Sequence, residues 1–170
     1  MERPRVGEIE KKVISSIYRM SQRLNPFTYY YENKITKEID KYNDGINFDD
    51  QLHSLYSDGD STPEHIFNVS TRRGIETLAI TDHDTTEHWD SCEMAERKYP
   101  NTINIPAIEV STKRGDILAY FPSYECKNHR AVKDLIKNKY STREAIDLIH
   151  EAGGVAVAAH PNRTRGIGLR

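Results

Sequence analysis

The stretch "LAITDHD", residues 78–84, runs through four apolar or β-branched residues and then changes abruptly to acid, imidazole and acid. A short run without polar alternation fits a strand buried on both faces, as parallel strands are. Asp82, His83 and Asp84 then stand at its C-terminal end. "GVAVAAHP", residues 154–161, repeats the design: small and β-branched residues lead directly into His160. The same reasoning predicts a doubly buried, parallel strand there.

Working outward, short apolar runs suggest strands at 48–53, 77–81, 103–110, 116–121 and 154–159. Amphipathic segments lie between them. "STPEHIFNVSTRRG" (61–74) has a Ser/Thr cap, Pro and Glu in its first turn and Gly74 as a stop. "TTEHWDSCEMAERKY" (85–99) and "STREAIDLIHEAGG" (141–154) follow the same grammar, with capping-box spacing from Ser141 to Glu144. Strands alternating with helices predict an α/β fold on a parallel sheet or barrel.

In such folds the site forms at the C-terminal strand ends. Those ends would present His53, Asp58, Asp82, His83, Glu109, Asp116 and His160. A single His after a strand is more often a hydrogen-bonded loop residue than a ligand, but this placement recurs at several strand ends. Three imidazoles among several carboxylates suit divalent first-row metals, with room for more than one ion. His65, His88, His129 and His150 fall in helices or loops away from the strand ends and read as ordinary surface or packing residues.

The 170 residues are enough for one domain with a real core. The hydrophobic share of 36% is modest for that size, which implies a large solvated fraction or a partial core. A net charge of -2 does not support nucleic-acid binding through bulk electrostatics. The basic run 127–139 reads as a solvated helix face. No apolar run approaches a membrane span, and "MERPRVGEIEKK" has no apolar core of a secretory signal, so a cytoplasmic protein with reduced Cys92 and Cys126 is expected. Residues 1–47 read as a helical and polar extension. Ile9, Val13, Ile17, Met20 and Leu24 make an apolar stripe on a helix over 7–24, suited to packing on its own domain or on a second copy.

"FDDQLHSLYSDGDSTPEHIF", "GIETLAITDHDT", "IPAIEVSTKRGDILAYF" and "GGVAVAAHPNR" together resemble, in order and spacing, successive motifs of the PHP (polymerase and histidinol phosphatase) domain. The resemblance covers about residues 48–165. It implies a distorted (β/α)7 barrel, here partial, that binds two or three Mn, Zn or Fe ions and hydrolyses phosphoesters. By motif, His53, Asp58, His83, Glu109 and His160 match family metal ligands, with Glu109 in the position that bridges two ions. Asp49 matches the acid that opens the first motif and is implied to orient a ligand.

Three departures from the pattern stand out. The family's Asp-x-His-x-His reads Asp49-Asp50-Gln51-Leu52-His53 here, so Gln51 is a doubtful ligand on the face that His53 shares. Asp116 stands where many relatives carry His. Both changes enrich the site in oxygen and tilt selection from Zn towards Mn or Mg. The closing Asp-x-His motif has no match before Arg170, which suggests that the C-terminal part of the barrel, in a domain spanning 48–170, is missing.

The resulting expectation is a phosphoesterase acting through a metal-activated water on phosphomonoesters or short nucleotides. The alternative is a degenerate PHP-like binding or scaffold module. Asp82 is open between orienting a ligand and capping the next helix. Arg163 and Arg165 are open between gripping the substrate phosphate and lining a solvated loop. No membrane partner is expected, nucleic-acid ends gain no support from charge, and self-association would run through helix 7–24.

Overall fold

The structure is a computed structural model that describes residues 47–160. The helix expected over 7–24, and Arg163 and Arg165, lie outside those residues. The order is β1 (Phe48–Leu52), α1 (Pro63–Arg72), β2 (Thr77–Ile80), α2 (His88–Lys98), β3 (Ile103–Asn104), β4 (Ala107–Thr112) and β5 (Gly115–Tyr120). A 3-10 turn (Tyr124–Asn128), α3 (Arg130–Leu135), α4 (Thr142–Glu151) and β6 (Val155–Ala158) follow.

Helix limits mostly follow the capping chemistry. Thr62 accepts the amide of His65 at 3.2 Å ahead of Pro63, which opens α1. Ser141 and Glu144 form a reciprocal capping box at the start of α4. Helix α2 departs from the expected Thr cap. Glu87 occupies the cap without a side-chain bond, while Thr85 accepts the Glu87 amide at 3.1 Å. Tertiary packing decides this start, because His88 and Trp89 in the first turn are fully buried and both reach the Ala107 carbonyl.

The sheet is mixed. Strands β1, β2 and β3 run parallel, and β4, β5 and β6 run antiparallel. Among the described residues the sheets do not close, and only one of the two is the parallel sheet expected throughout. Pro106 accounts for much of the difference. The run 103–110 was expected as one strand, but proline has no amide to donate to a ladder. The Ile105 amide still bonds Leu78 of the parallel sheet, and the Pro106 carbonyl already accepts from Phe121, beyond β5. The chain changes sheets at that residue. The two sheets are stitched above it by a parallel bridge between His83 and Glu109. There the Asp84 amide donates to the Glu109 carbonyl at 3.0 Å, and the Glu109 amide donates to Thr81 at 3.2 Å.

Strand β6 is also corrected. It pairs antiparallel with β5, and it is only partly buried: Val155 is 40% exposed, Ala156 and Ala158 are half-buried and Val157 is buried. The parallel reading of 77–81 holds, since every residue of β2 is buried.

One apolar cluster, with Trp89, Ile108, Ile117, Phe121, Val132, Leu135 and Ile149, packs α3 and α4 against the antiparallel sheet. A second, with Phe67, Leu78, Ile80, Cys92 and Ala95, packs α1 and α2 against the parallel one. Fully burying each large apolar side chain contributes about 1.5–3 kcal/mol. The basic run 127–139 leaves Arg130, Lys133, Lys137 and Lys139 exposed around a buried Val132 and Leu135, as a solvated face should. Both cysteines are free, and among the described residues no helix is long and apolar enough to cross a membrane.

Candidate metal centre

Glu109 stands at the seam of the two sheets, its side chain 1% exposed. A carboxylate so buried needs donors, and three converge on it. Gln51 Nε2 donates to Oε2 at 2.8 Å, His53 Nε2 lies 3.1 Å from the same oxygen, and His160 Nε2 lies 2.9 Å from Oε1. Burial alone would raise the Glu109 pKa. The bonds from His53, Gln51 and His160, with the nearby charge of His83, outweigh it and lower the value to about 2. His53 is raised in turn, first by its bond to Glu109 and against the cost of burial, with Asp58 and Asp82 adding to the rise.

Gln51 and His53 therefore do face one centre, although β1 carries a register irregularity between Asp49 and Leu52. Asp49 is half-buried, its pKa raised by burial and opposed by a bond from the Gln51 amide.

Donor atoms of His53, His83 and Glu109 lie within 4.8 Å of one another, and so do those of Glu109, Asp116 and His160. Glu109 is common to both groups. In the first, the His53 and His83 rings stack with centroids 4.7 Å apart. Asp58, 69% exposed, stands at their rim, 3.3 Å from His53 Nδ1 and 3.8 Å from His83 Nε2. In the second, Asp116 is nearly buried and its Oδ2 is 4.0 Å from His160 Nε2. His160 and Asp84 adopt positive φ, 25° and 49°. Non-glycine residues rarely sit there, and such strain clusters at functional sites. Asp84 is fixed in that shape because Oδ1 accepts the Ser111 amide at 2.8 Å.

Asp82 lies underneath, fully buried, and neither Asp82 nor Asp84 caps α2. Asp82 Oδ1 accepts the Ser54 amide at 2.7 Å and the Ser57 hydroxyl at 2.5 Å, and Oδ2 accepts the Ser54 hydroxyl at 2.5 Å. It clamps the loop that carries His53 and Asp58. Gly59 closes the same loop. Its amide bonds the Ser54 carbonyl at 3.0 Å, and a Cβ there would stand 2.1 Å from the His53 carbonyl oxygen.

The clamp also bears on the His53 ring. The one hydrogen of Ser57 is directed to Asp82, so towards His53 Nδ1, 3.4 Å away, Ser57 is an acceptor, as is Asp58. Nδ1 therefore carries a hydrogen, and Nε2, which here donates to Glu109, is the nitrogen that would turn to a metal on giving up its own. The mixed imidazole and carboxylate donors, and a carboxylate offering one oxygen to each group, fit a pair of divalent first-row ions.

The sequence brings together Gln51, His53, Asp58, His83, Glu109, Asp116 and His160, and the structure does so too. Ser54, Ser57 and His88 were not recognised as parts of the arrangement. Ser57 opens the turn Ser57-Asp58-Gly59 and Ser54 stands three residues before it, a usable signal in the sequence. His88 gives none, because only the tertiary packing of α2 brings it beneath Asp82.

No protein-family model matches the chain. It is 30% identical over 106 residues to an uncharacterized protein of Methanocaldococcus jannaschii, a match spanning 62% of this chain and 56% of that protein. The chain thus spans about half the length of that curated relative. Among solved structures, it is similar to a Bifidobacterium adolescentis protein provisionally described as a metal-dependent phosphoesterase, with TM-score 0.53 and 21% identity over 69% of this chain and 68% of the other. A two-domain Bacteroides vulgatus protein, containing by prediction a PHP-like metal-dependent phosphoesterase, gives TM-score 0.54 and 17% identity over 68% and 35%. An amidohydrolase from Chromobacterium violaceum, with bound sulfate and no metal, gives 0.51 and 21% over 69% and 68%. At these identities the likeness is one of fold, a mixed α/β arrangement of PHP type.

Proposed function

We propose that the chain is a metal-dependent phosphoesterase that hydrolyses phosphomonoesters or short nucleotides. The observation that carries this reading is the shared Glu109 carboxylate, whose Oε2 faces the His53 and His83 group and whose Oε1 faces the Asp116 and His160 group. The descriptions of the structural neighbours as metal-dependent phosphoesterases support it. Bound divalent ions would supply a hydroxide near neutral pH and charge to offset the phosphoryl oxygens.

The chain's own residues do the rest. Glu109 holds the two ligand groups in one frame. His53 and His83 would hold an ion there and so would not be free to act as bases. Asp82 is a positioning residue, because its oxygens are taken up by the Ser54 and Ser57 donors. Arg163 and Arg165, close after His160 in the chain and outside the described residues, are the candidates for gripping the substrate phosphate. Gln51 and Asp116 make the donor set richer in oxygen, which favours Mn or Mg over Zn.

One observation favours a second reading, a binding module without turnover. The Gln51 amide donates to the same Glu109 oxygen that the first group needs, where an imidazole lone pair would ligate. Assaying a generic phosphomonoester and a nucleotide panel with Mn, Zn and Mg decides between them. Turnover by the natural chain that His83→Ala abolishes is the expected result. Turnover seen only after Gln51→His would establish the binding module instead.

A further inference from the structure

Strand β2 ends at Ile80, yet the chain keeps pairing with β4 through Asp84. The Glu109 amide donates to the Thr81 carbonyl at 3.2 Å and to that of Asp82 at 3.3 Å, and the Asp84 amide donates to the Glu109 carbonyl at 3.0 Å. That is the slanted pattern of a parallel pair, in which Glu109 bonds the residues on either side of His83. The next rung would carry the Ser111 amide to the main-chain carbonyl of Asp84. A different atom takes it. Asp84 turns into the left-handed region at φ 49°, and the Ser111 amide is met at 2.8 Å by its side-chain oxygen Oδ1. The carboxylate thus replaces the carbonyl of its own residue as the last acceptor of the ladder.

The replacement bears directly on the residue before it. His83 bridges to Glu109, its ring stacks on that of His53, and the chain leaves the sheet one residue later. We propose that Asp84 is a positioning residue for the first ion position, whose carboxylate ties down the point of departure and so fixes His83 against Glu109. Both Asp84 bonds run to β4, at Glu109 and at Ser111, so the two ligands are held as one unit. The side chain itself is exposed and belongs to neither ligand group, which places its role in the bond to Ser111. The second position, with Asp116 and His160, takes no ligand from this segment. Losing a partner that orients a metal ligand costs about 10–100-fold in affinity.

This role rests on the metal-centre reading, and the experiment separates the two. Co2+ binding to the full chain is followed by calorimetry and by the cobalt absorption spectrum. Deuterium uptake at the Ser111 amide of metal-free protein and thermal melting are measured alongside. Failure of the natural chain to bind Co2+ would remove the metal-centre reading itself, and the role with it. If it binds, Asp84→Gly, which keeps the left-handed backbone but has no acceptor, decides the role. It is expected to expose the Ser111 amide to exchange. It should also lose about 10–100-fold in affinity for one equivalent only, with a changed spectrum for that equivalent. Asp84→Asn keeps an acceptor oxygen and tolerates the same backbone while removing the charge, so it should bind both equivalents nearly as the natural chain does. A Ser111 amide still protected in Asp84→Gly, or both equivalents bound unchanged by that variant, would overturn the assignment. So would a loss in Asp84→Asn as large as in Asp84→Gly, which would make charge the cause, or an equal loss at both equivalents that follows the fall in melting temperature. Should Asp84→Gly not fold, Asp84→Ala, which also lacks the acceptor, is read against Asp84→Asn in the same way.

Discussion

Glu109 concentrates the chemistry of this chain in one side chain, since each carboxylate oxygen is claimed by a different set of donors. Its loss should therefore differ in kind from the loss of any other ligand. Glu109→Gln is expected to abolish both ion positions, whereas His160→Ala removes one and keeps the other. Metal stoichiometry of each variant checks this, and one ion retained by Glu109→Gln would show that the positions do not share the carboxylate. Gln51 follows the same logic in reverse. The amide occupies the place and direction of a ligand but presents a hydrogen to the glutamate. Its position was legible from strand alternation, but its bond was not, because the partner lies 58 residues away in sequence.

At the level of the element, the loop after β1 is a small closed unit, held by the Gly59 and Ser57 amides on the Ser54 carbonyl and by Asp82 from below. Gly59→Ala places a methyl against the His53 carbonyl, so backbone must move. A destabilisation of about 1–3 kcal/mol is expected, as for overpacking elsewhere, with weakened binding confined to the His53 position. Urea melts and Co2+ titration together report both. Strands β1, β2 and β5 and helices α1 and α4 were readable because their limits depend on local signals: Thr62-Pro63, the Ser141–Glu144 box, unbroken apolar runs. The change of sheet at Pro106, the Glu87 start of α2 and the antiparallel sense of β6 depend on what lies across the fold. No local pattern distinguishes a buried parallel strand from a partly buried antiparallel run of valine and alanine.

For the molecule as a whole, the depressed Glu109 carboxyl makes metal-free stability pH-dependent. The folded state holds its proton less tightly than the unfolded chain, from 4.5 down to about 2. The stabilisation is thus fully present above pH 4.5 and is lost as pH falls towards 2, on the order of 3 kcal/mol at about 1.4 kcal/mol per pKa unit. His53, raised in the fold, contributes below its usual 6.5 and loses that contribution as pH rises past its folded value. His88, lowered chiefly by burial, has the opposite sign and favours the fold as pH rises through 6.5. Chemical denaturation of metal-free protein between pH 2 and 5 should show the acid slope, and Glu109→Gln should flatten it. An unchanged slope would mean that other carboxylates dominate. The seam where the two sheets meet has a mechanical side as well. The amides of Asp84 and Glu109 cross that seam directly above the ligands, so ions held on both sides of it would act as rivets. Adding Mn2+ should slow deuterium uptake at these two amides more than at the helix surfaces, so that filling the site and closing the fold become a single event.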